Sequence, residues 1–211
     1  MDLQRMNPVY FLVITIARAM AKALFNVKVI NHDKLIQSGP CIYVANHQSF
    51  LDPPMIGQLF EDDIHYFARK TLLDNPIMSK VLPHCNVIPI DQERPDPGSI
   101  LKVLRLVRSG RGIVIFPEGS RCEDGQIHDA MPGIGLILGR LAGVPVQPIR
   151  IEGAYDCLPP HRSRLELHPI TLSVGDPIPF TKEELKAKGR EAQLAIGRKI
   201  MEAIKALPLN P

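Results

Sequence analysis

The apolar positions of this chain alternate between short continuous runs and stretches with the three-to-four-residue spacing of a helix. The continuous runs predict buried strands, at 27–30, 41–45, 64–68, 86–90, 112–116 and 144–151. Helical spacing lies between several of them, at 54–60, 99–107 and 133–141. This alternation predicts an α/β fold, a largely parallel sheet flanked by helices, in a single domain over residues 26–211.

The last third of the chain has a different pattern. Apolar and polar residues alternate at 164–168 and at 171–174, so one or both segments are expected to pair antiparallel at an edge and make the sheet mixed. Thr181 and Glu184 then have the spacing of a capping box. An amphipathic closing helix follows, with an interruption expected at Gly189.

The N-terminal segment, residues 1–25, is the most apolar part of the chain. It is uncharged only over 6–17, which is too short for a simple membrane-spanning helix, and Thr15, Arg18 and Lys22 form a narrow polar stripe. A core-packed helix and a signal peptide are alternatives, although the leader has little net positive charge. We favour an amphipathic helix that lies on the membrane, which makes the protein monotopic.

Composition narrows the classes of function. The 211 residues are 45% hydrophobic and 22% charged, as in an ordinary folded protein. Aromatic residues make up 5% and Trp is absent, which argues against a nucleic-acid stacking surface. The net charge of +3 suits anionic lipid or a phosphorylated substrate. Four scattered cysteines without metal-ligand spacing predict no metal site and a reducing compartment.

Candidate chemistry begins at NHQSFLD, residues 46–52, between a predicted strand and a predicted helix. His47 and Asp52 are five positions apart, which neither a regular helix nor a strand brings into contact, whereas a strand-to-helix turn does. An aspartate on one ring nitrogen fixes the histidine tautomer and leaves the other nitrogen to accept a proton from a hydroxyl. The alternative is that Asp52 only caps the helix and His47 is polar surface.

A second motif, FPEGSR at 116–121, follows the strand predicted at 112–116. Loops at the carboxyl ends of strands are where α/β proteins place their sites. Gly119 allows close backbone approach, Ser120 donates a hydrogen bond and Arg121 offers a planar fork, all suited to a phosphate. Glu118 can orient Arg121 or accept a bond from a substrate hydroxyl. The alternative is a turn whose charges are only solvated.

Together the two motifs resemble the glycerolipid acyltransferases of the lysophosphatidic acid acyltransferase family. Blocks at 67–70, 72–76, 86–91 and 144–149 are also similar, so the likeness covers about residues 27–180. It implies that His47 is the general base, that Asp52 orients it, and that residues 118–121 bind the phosphate and glycerol of the acceptor. It also implies a membrane-associated N-terminal helix on the cytoplasmic face, an acyl-CoA or acyl carrier protein donor, and no bound cofactor or metal.

The sequence departs from the family at one position. Gln92 stands where the family commonly has arginine, and Arg94, two residues on, is the candidate to reach the same phosphate. Lys70, Arg94 or backbone N–H groups are candidates to stabilise the charge that develops on the thioester carbonyl. The substitution leaves the acceptor open.

The resulting expectation is an O-acyltransferase that moves a fatty acyl group from a thioester to lysophosphatidic acid or a related lysolipid. The product would be phosphatidic acid, in phospholipid biosynthesis. A different lysolipid or phosphorylated acceptor and a catalytically idle lipid-binding protein are the alternatives. A hydrolase that passes the acyl group to water is disfavoured because no G-x-S-x-G elbow accompanies the dyad.

Overall fold

A computed structural model describes residues 7–76, 78–90 and 97–210. Eight helices are assigned in this part of the chain: α1 (Pro8–Leu24), α2 (Asp52–Gly57), α3 (Met78–Val81), α4 (Pro97–Arg108), α5 (Gly133–Arg140), α6 (Ala154–Cys157), α7 (Lys182–Lys186) and α8 (Arg190–Lys205). The strands are β1 (Lys28–Ile30), β2 (Cys41–Ala45), β3 (His65–Arg69), β4 (Val87–Ile90), β5 (Gly112–Ile115), β6 (Val146–Glu152) and β7 (Thr171–Val174).

The strands form one seven-stranded sheet in the order β1-β7-β6-β2-β5-β3-β4. Every neighbouring pair is parallel except β6 and β7, which run antiparallel. The predicted mixed, largely parallel sheet flanked by helices is therefore confirmed. The antiparallel strand lies one place inside the edge, because β1 pairs with its outer side.

Residues 164–168 do not form the predicted strand. The outer side of β7 is already paired with β1, so the sheet offers this segment no place beside β7. Local bonds hold it instead: the Glu166 amide donates to the Cys157 carbonyl at 2.9 Å, and Pro169 ends the segment. The alternation of leucines in this segment therefore does not reflect a half-buried strand.

The sheet separates two hydrophobic clusters because successive side chains of a strand point to opposite faces. In β2, Cys41, Tyr43 and Ala45 pack on the side of α1 and α2. Ile42 and Val44 pack on the other side, against α4, α5 and α8. All five residues of this strand are buried, and this explains its continuous apolar sequence.

Helix α1 buries one face and exposes the other. Tyr10, Ile14, Ala17 and Ala21 lie at helical spacing and are buried against the domain. Arg18 donates to the carbonyl of Phe60 at 2.6 Å, which fixes the helix beside the end of α2. Apolar side chains remain exposed on the rest of the helix, among them Val9, Phe11, Leu12 and Ile16. No helix among the described residues has the length and apolar character needed to cross a bilayer.

The closing segment follows the predicted pattern. The Glu184 amide donates to the Thr181 hydroxyl at 3.1 Å, and the Thr181 amide donates to the Glu184 carboxylate at 2.6 Å, which completes the capping box before α7. Gly189, with φ of 98°, separates α7 from α8. A left-handed φ favours glycine, which explains the interruption.

Candidate active site

The two motifs meet at the carboxyl edge of the sheet. β2 and β5 are adjacent and parallel, with Val44 opposite Ile115, so the loops that follow them leave the sheet side by side. The His47 ring stacks on the Phe116 ring with centroids 4.1 Å apart. The Cys122 amide donates to the His47 carbonyl at 2.9 Å. Residues about seventy positions apart in sequence therefore form one site.

Asn46 sets the direction in which the chain leaves β2. Its side-chain amide donates to the Ile151 carbonyl and its oxygen accepts from the Ile151 amide, both at 2.8 Å. In this buried pair of bonds the Asn46 side chain takes the place of a backbone peptide in the β2–β6 ladder. The Asn46 backbone can therefore turn away from the sheet. His47 therefore starts the loop from a fixed position.

His47 and Asp52 are in direct contact. The His47 Nδ1 lies 2.8 Å from Asp52 Oδ2, and the carboxylate is fully buried. The same oxygen accepts from the amides of Gln48 at 2.6 Å and Ser49 at 2.7 Å. Because a carboxylate can only accept, Nδ1 is the donor and the neutral ring has its lone pair on Nε2. Asp52 is the first residue of α2 and its carboxylate bonds preceding amides, so it is not the cap of that helix.

Glu118 links two loops instead of facing an open surface. One carboxylate oxygen accepts from the His47 amide at 2.9 Å and the other from the His128 amide at 3.2 Å. The side chain is buried, which raises the pKa of Glu118, while the two amide bonds lower it. Each oxygen thus has a backbone donor, and the carboxylate holds the loop of His47 against the loop of His128.

Arg121 lies between the dyad and an exposed aromatic ring. Its guanidinium carbon is 3.5 Å from the centroid of Phe50, a cation–π contact. Burial lowers the pKa of Arg121, nearby Asp52 raises it and nearby Arg69 lowers it. Arg121 Nη1 and Asp52 Oδ1 are both buried without a partner among the described residues. Arg121 is therefore close to the dyad and keeps unused hydrogen-bonding capacity.

The remaining loop residues shape this part of the site. Gly119 has φ of 77°, a left-handed value that a side chain would strain, and its amide donates to the Phe116 carbonyl at 3.1 Å. Ser120 follows with an exposed side chain. The turn therefore presents a hydroxyl and a guanidinium from consecutive residues.

A second arginine, which the sequence analysis missed, is tied to this loop. Arg69 ends β3, and its Nε donates to the Gly119 carbonyl at 3.1 Å. The predicted strand stopped at residue 68, and the predicted candidate was Lys70, which is exposed and begins the short 3₁₀ turn Lys70–Asp74. The sequence signal that could have identified Arg69 is its position as a cation at the end of a predicted strand, at the edge where the two motifs were expected.

Two of the sequence-based candidates lie outside the described residues: Gln92 and Arg94. Within the described ranges, no group of three or more His, Cys, Asp or Glu side chains is placed to hold a metal ion. The four cysteines are buried free thiols. The chemistry that the described residues offer is an imidazole with its Nε2 free of Asp52, beside two guanidinium groups, which suits a hydroxyl that belongs to an anionic molecule.

Comparison with known proteins adds to this geometry. Residues 26–152 match the sequence profile of the acyltransferase family. A chloroplastic 1-acyl-sn-glycerol-3-phosphate acyltransferase, BAT2 of Brassica napus, is 34% identical over 125 residues, which are 57% of this chain and 35% of that protein. The 1-acyl-sn-glycerol-3-phosphate acyltransferase of Bacillus subtilis is 30% identical over 129 residues, 60% of this chain and 63% of that protein. The matched part thus spans less than two thirds of either relative.

A solved structure has the same fold. The crystal structure of the 1-acyl-sn-glycerophosphate acyltransferase PlsC of Thermotoga maritima superposes with a TM-score of 0.71, and the match covers 93% of this chain and 80% of that one. The sequences are 23% identical over this match. The likeness therefore concerns the architecture of the sheet and its helices.

Proposed function

Because the chain belongs to the acyltransferase family, we propose that it transfers a fatty acyl group from a thioester to the free hydroxyl of lysophosphatidic acid. The product is phosphatidic acid, an intermediate of phospholipid biosynthesis. The observation that carries the proposal is the 2.8 Å contact between His47 Nδ1 and the buried Asp52 carboxylate, at the edge where the two arginines lie. The names of the two relatives support the acceptor.

In the proposed mechanism His47 acts as general base. Its Nε2 takes the proton of the acceptor hydroxyl as the oxygen attacks the thioester carbonyl, and Asp52 stabilises the imidazolium. The tetrahedral intermediate then collapses, the C–S bond breaks, and the imidazolium returns its proton to the thiolate. Acyl transfer is direct, so no bond forms between the acyl group and the protein. A positioned base of this kind contributes about 10²–10⁴-fold in rate.

The acceptor phosphate is proposed to bind the guanidinium of Arg121, with Arg69 beside it. Both arginines are held by the 116–121 loop: Arg121 belongs to it, and Arg69 donates to Gly119. A planar guanidinium matches two phosphate oxygens, and the Ser120 hydroxyl supplies another donor. Lys70 and Arg94 remain candidates for the same phosphate or for the developing oxyanion.

Glu118 is proposed to act through the loops and not through the acceptor. Both carboxylate oxygens already accept from backbone amides, those of His47 and His128. Binding a substrate hydroxyl would add an acceptor role to a carboxylate that is buried and engaged on both sides. The carboxylate of Glu118 holds the backbone of His47 in place, and this role explains an acidic residue at position 118.

The exposed face of α1 is proposed to lie in the membrane interface. Phe11, Leu12 and Ile16 are exposed on it, while the opposite face packs on the domain. Such a helix binds parallel to the surface, and this would place the site beside its lipid acceptor. The acyl donor, acyl-CoA or acyl carrier protein, then arrives from the aqueous side, which makes the cytoplasmic face the proposed location. The donor is a substrate, and the proposed chemistry uses no bound cofactor.

The test is an acceptor panel with labelled acyl-CoA and labelled acyl carrier protein, using purified full-length chain in lipid. Lysophosphatidic acid is compared with lysophosphatidylcholine, lysophosphatidylglycerol, glycerol 3-phosphate and water. We expect transfer to lysophosphatidic acid, and a raised KM for that acceptor in Arg121→Lys, since Lys cannot bind two phosphate oxygens in a fork. Arg94→Ala tests the other arginine candidate, and an unchanged KM for the acceptor would remove it.

Three results would decide against the proposal. Free fatty acid as the main product would make the protein a hydrolase. A different preferred acceptor would overturn the choice of lysophosphatidic acid. Acceptor binding without turnover under every condition would make the protein a lipid-binding protein.

A further inference from the structure

A pair of leucines stands out from the sheet on a segment that the fold leaves unpaired. Leu165 is 38% and Leu167 is 59% exposed, on irregular backbone between α6 and β7. Leu167 is the most exposed large apolar side chain recorded among the described residues. Two nearby exposed leucines leave apolar area in water that contact with another apolar phase would bury.

The segment lies at the same edge as the candidate active site. β7 runs antiparallel to β6 and its first residue, Thr171, pairs with the last residue of β6, Glu152, so the chain enters β7 from the carboxyl edge of the parallel strands. The Ser49 hydroxyl donates to the Leu158 carbonyl at 2.8 Å, which joins the region to the loop of His47. The Ile170 amide donates to the Phe25 carbonyl at 3.0 Å, which joins it to the end of α1.

Hydrogen bonds within the segment hold its backbone in a position that leaves the two leucines exposed. Arg162 pairs with the Glu166 carboxylate at 2.7 Å and donates to the Asp156 carbonyl at 2.8 Å. The Glu166 amide is bonded to the Cys157 carbonyl. These bonds brace the backbone on both sides of Leu165, so the side chains are presented from a defined loop.

Three cations lie on this segment or on the elements bonded to its end. Arg164 is exposed next to Leu165, Lys28 lies opposite Thr171 at the same edge, and Lys22 is in the last turn of α1. None of these cations has an acidic partner within the described ranges, whereas Glu166 is neutralised by Arg162. Exposed leucines with unpaired cations beside them match the interface of a bilayer that contains anionic lipid.

We propose that residues 161–168 form a second membrane contact, separate from α1, that binds anionic bilayers and turns the site edge toward the lipid. The inference rests on the proposed function, which requires a lipid acceptor at this edge. Two leucines are far from the roughly 800 Å² per partner of a stable protein interface. Interfacial contacts, in contrast, accumulate from single apolar and basic side chains.

The chain has no Trp, so one introduced Trp reports on its own position. In full-length Leu167→Trp, we expect emission to shift to the blue on adding vesicles of phosphatidylcholine with phosphatidylglycerol, and to be quenched by brominated lipid. Leu101→Trp is the matched control, because Leu101 is 41% exposed on α4, and we expect it to keep its emission in water. Emission from Leu167→Trp that stays unchanged on vesicles that bind the protein would overturn the proposal.

A partition measurement separates this contact from α1. We expect Leu165→Ser with Leu167→Ser to weaken vesicle binding about tenfold or more, and Leu101→Ser to leave it unchanged. Arg164→Ala is expected to weaken binding about fivefold on anionic vesicles and not on pure phosphatidylcholine. Equal partition of all variants would overturn the proposal, as would a Leu167→Trp shift with acyl carrier protein but not with vesicles. Because both readouts measure contact and not turnover, failure of acyl transfer would leave them interpretable.

Discussion

Substituting Asp52 in two ways separates its part in catalysis from its part in folding. Asp52→Asn keeps a carbonyl oxygen that can take the place of Oδ2 and accept from His47, Gln48 and Ser49, but it removes the negative charge. Asp52→Ala removes both the charge and the acceptor. The two variants therefore share the loss of charge and differ in the hydrogen bonds.

The catalytic loss follows from the charge. When His47 has taken the proton, the imidazolium and the carboxylate are opposite charges about 4 Å apart, which interact by about 4 kcal/mol at an effective dielectric constant near 20. That energy corresponds to about a thousandfold in rate, at about 1.4 kcal/mol for each factor of ten. We expect both Asp52 variants to lose kcat/KM by about this factor.

The stability loss follows from the hydrogen bonds. In Asp52→Ala the amides of Gln48 and Ser49 lose their acceptor in a buried place, at about 1–3 kcal/mol each, so the free energy of unfolding should fall by about 2–6 kcal/mol. Asp52→Asn should lose far less. Acyl transfer kinetics and urea unfolding of both variants test this. Asp52→Asn with near wild-type kcat/KM would refute the role of the charge, and Asp52→Ala with wild-type stability would refute the role of the bonds.

Substitutions at three further positions test other parts of the site and the fold. Phe50→Leu removes the ring under Arg121 and should raise the KM for lysophosphatidic acid about three- to tenfold with little change in kcat. Phe50→Trp keeps an aromatic ring there and should have a KM near that of wild type. An unchanged KM of Phe50→Leu in steady-state kinetics would contradict a role of the ring in acceptor binding. Glu118→Ala leaves two backbone amides unpaired, so it should lower the free energy of unfolding by about 2–6 kcal/mol and also lower kcat. Wild-type stability in urea unfolding together with wild-type kcat would contradict the role of Glu118 in holding the two loops together. Burial lowers the pKa of His65 below its ordinary 6.5, so the unfolded chain binds the proton first and stability falls as the pH drops below 6.5. His65→Asn should flatten that fall in pH-dependent unfolding, and an unchanged slope would assign it to other groups.

The hydrophobic pattern and the sequence motifs predicted much of the site because the features that they concern are set by residues close together in sequence. Five continuous apolar residues made β2 a central strand, and the five-residue spacing of His47 and Asp52 required the turn that the structure contains. A turn of that kind is set by nearby residues, so one sequence suffices to expect it. The mixed sheet followed in the same way from the change of pattern in β7.

Other features depend on distant partners and were not predicted. Nothing near Glu118 in sequence shows that its carboxylate faces the His47 amide, about seventy residues away. Arg69 was missed because the predicted strand ended one residue early. The 164–168 segment alternates like a strand, yet the place beside β7 that it would have needed is taken by β1. In each case the deciding contact is made by a remote part of the chain.

The central claim is that His47 removes the proton from the acceptor hydroxyl, and the kinetics of His47→Gln test it most directly. Wild type and variant are compared with labelled acyl-CoA and lysophosphatidic acid in the same vesicles, with vesicle binding and urea unfolding as controls for folding. The account predicts that kcat falls by about 10²–10⁴, that the KM for the acceptor changes little, and that no label stays on the protein. Phosphatidic acid formed by His47→Gln at the wild-type rate would contradict it.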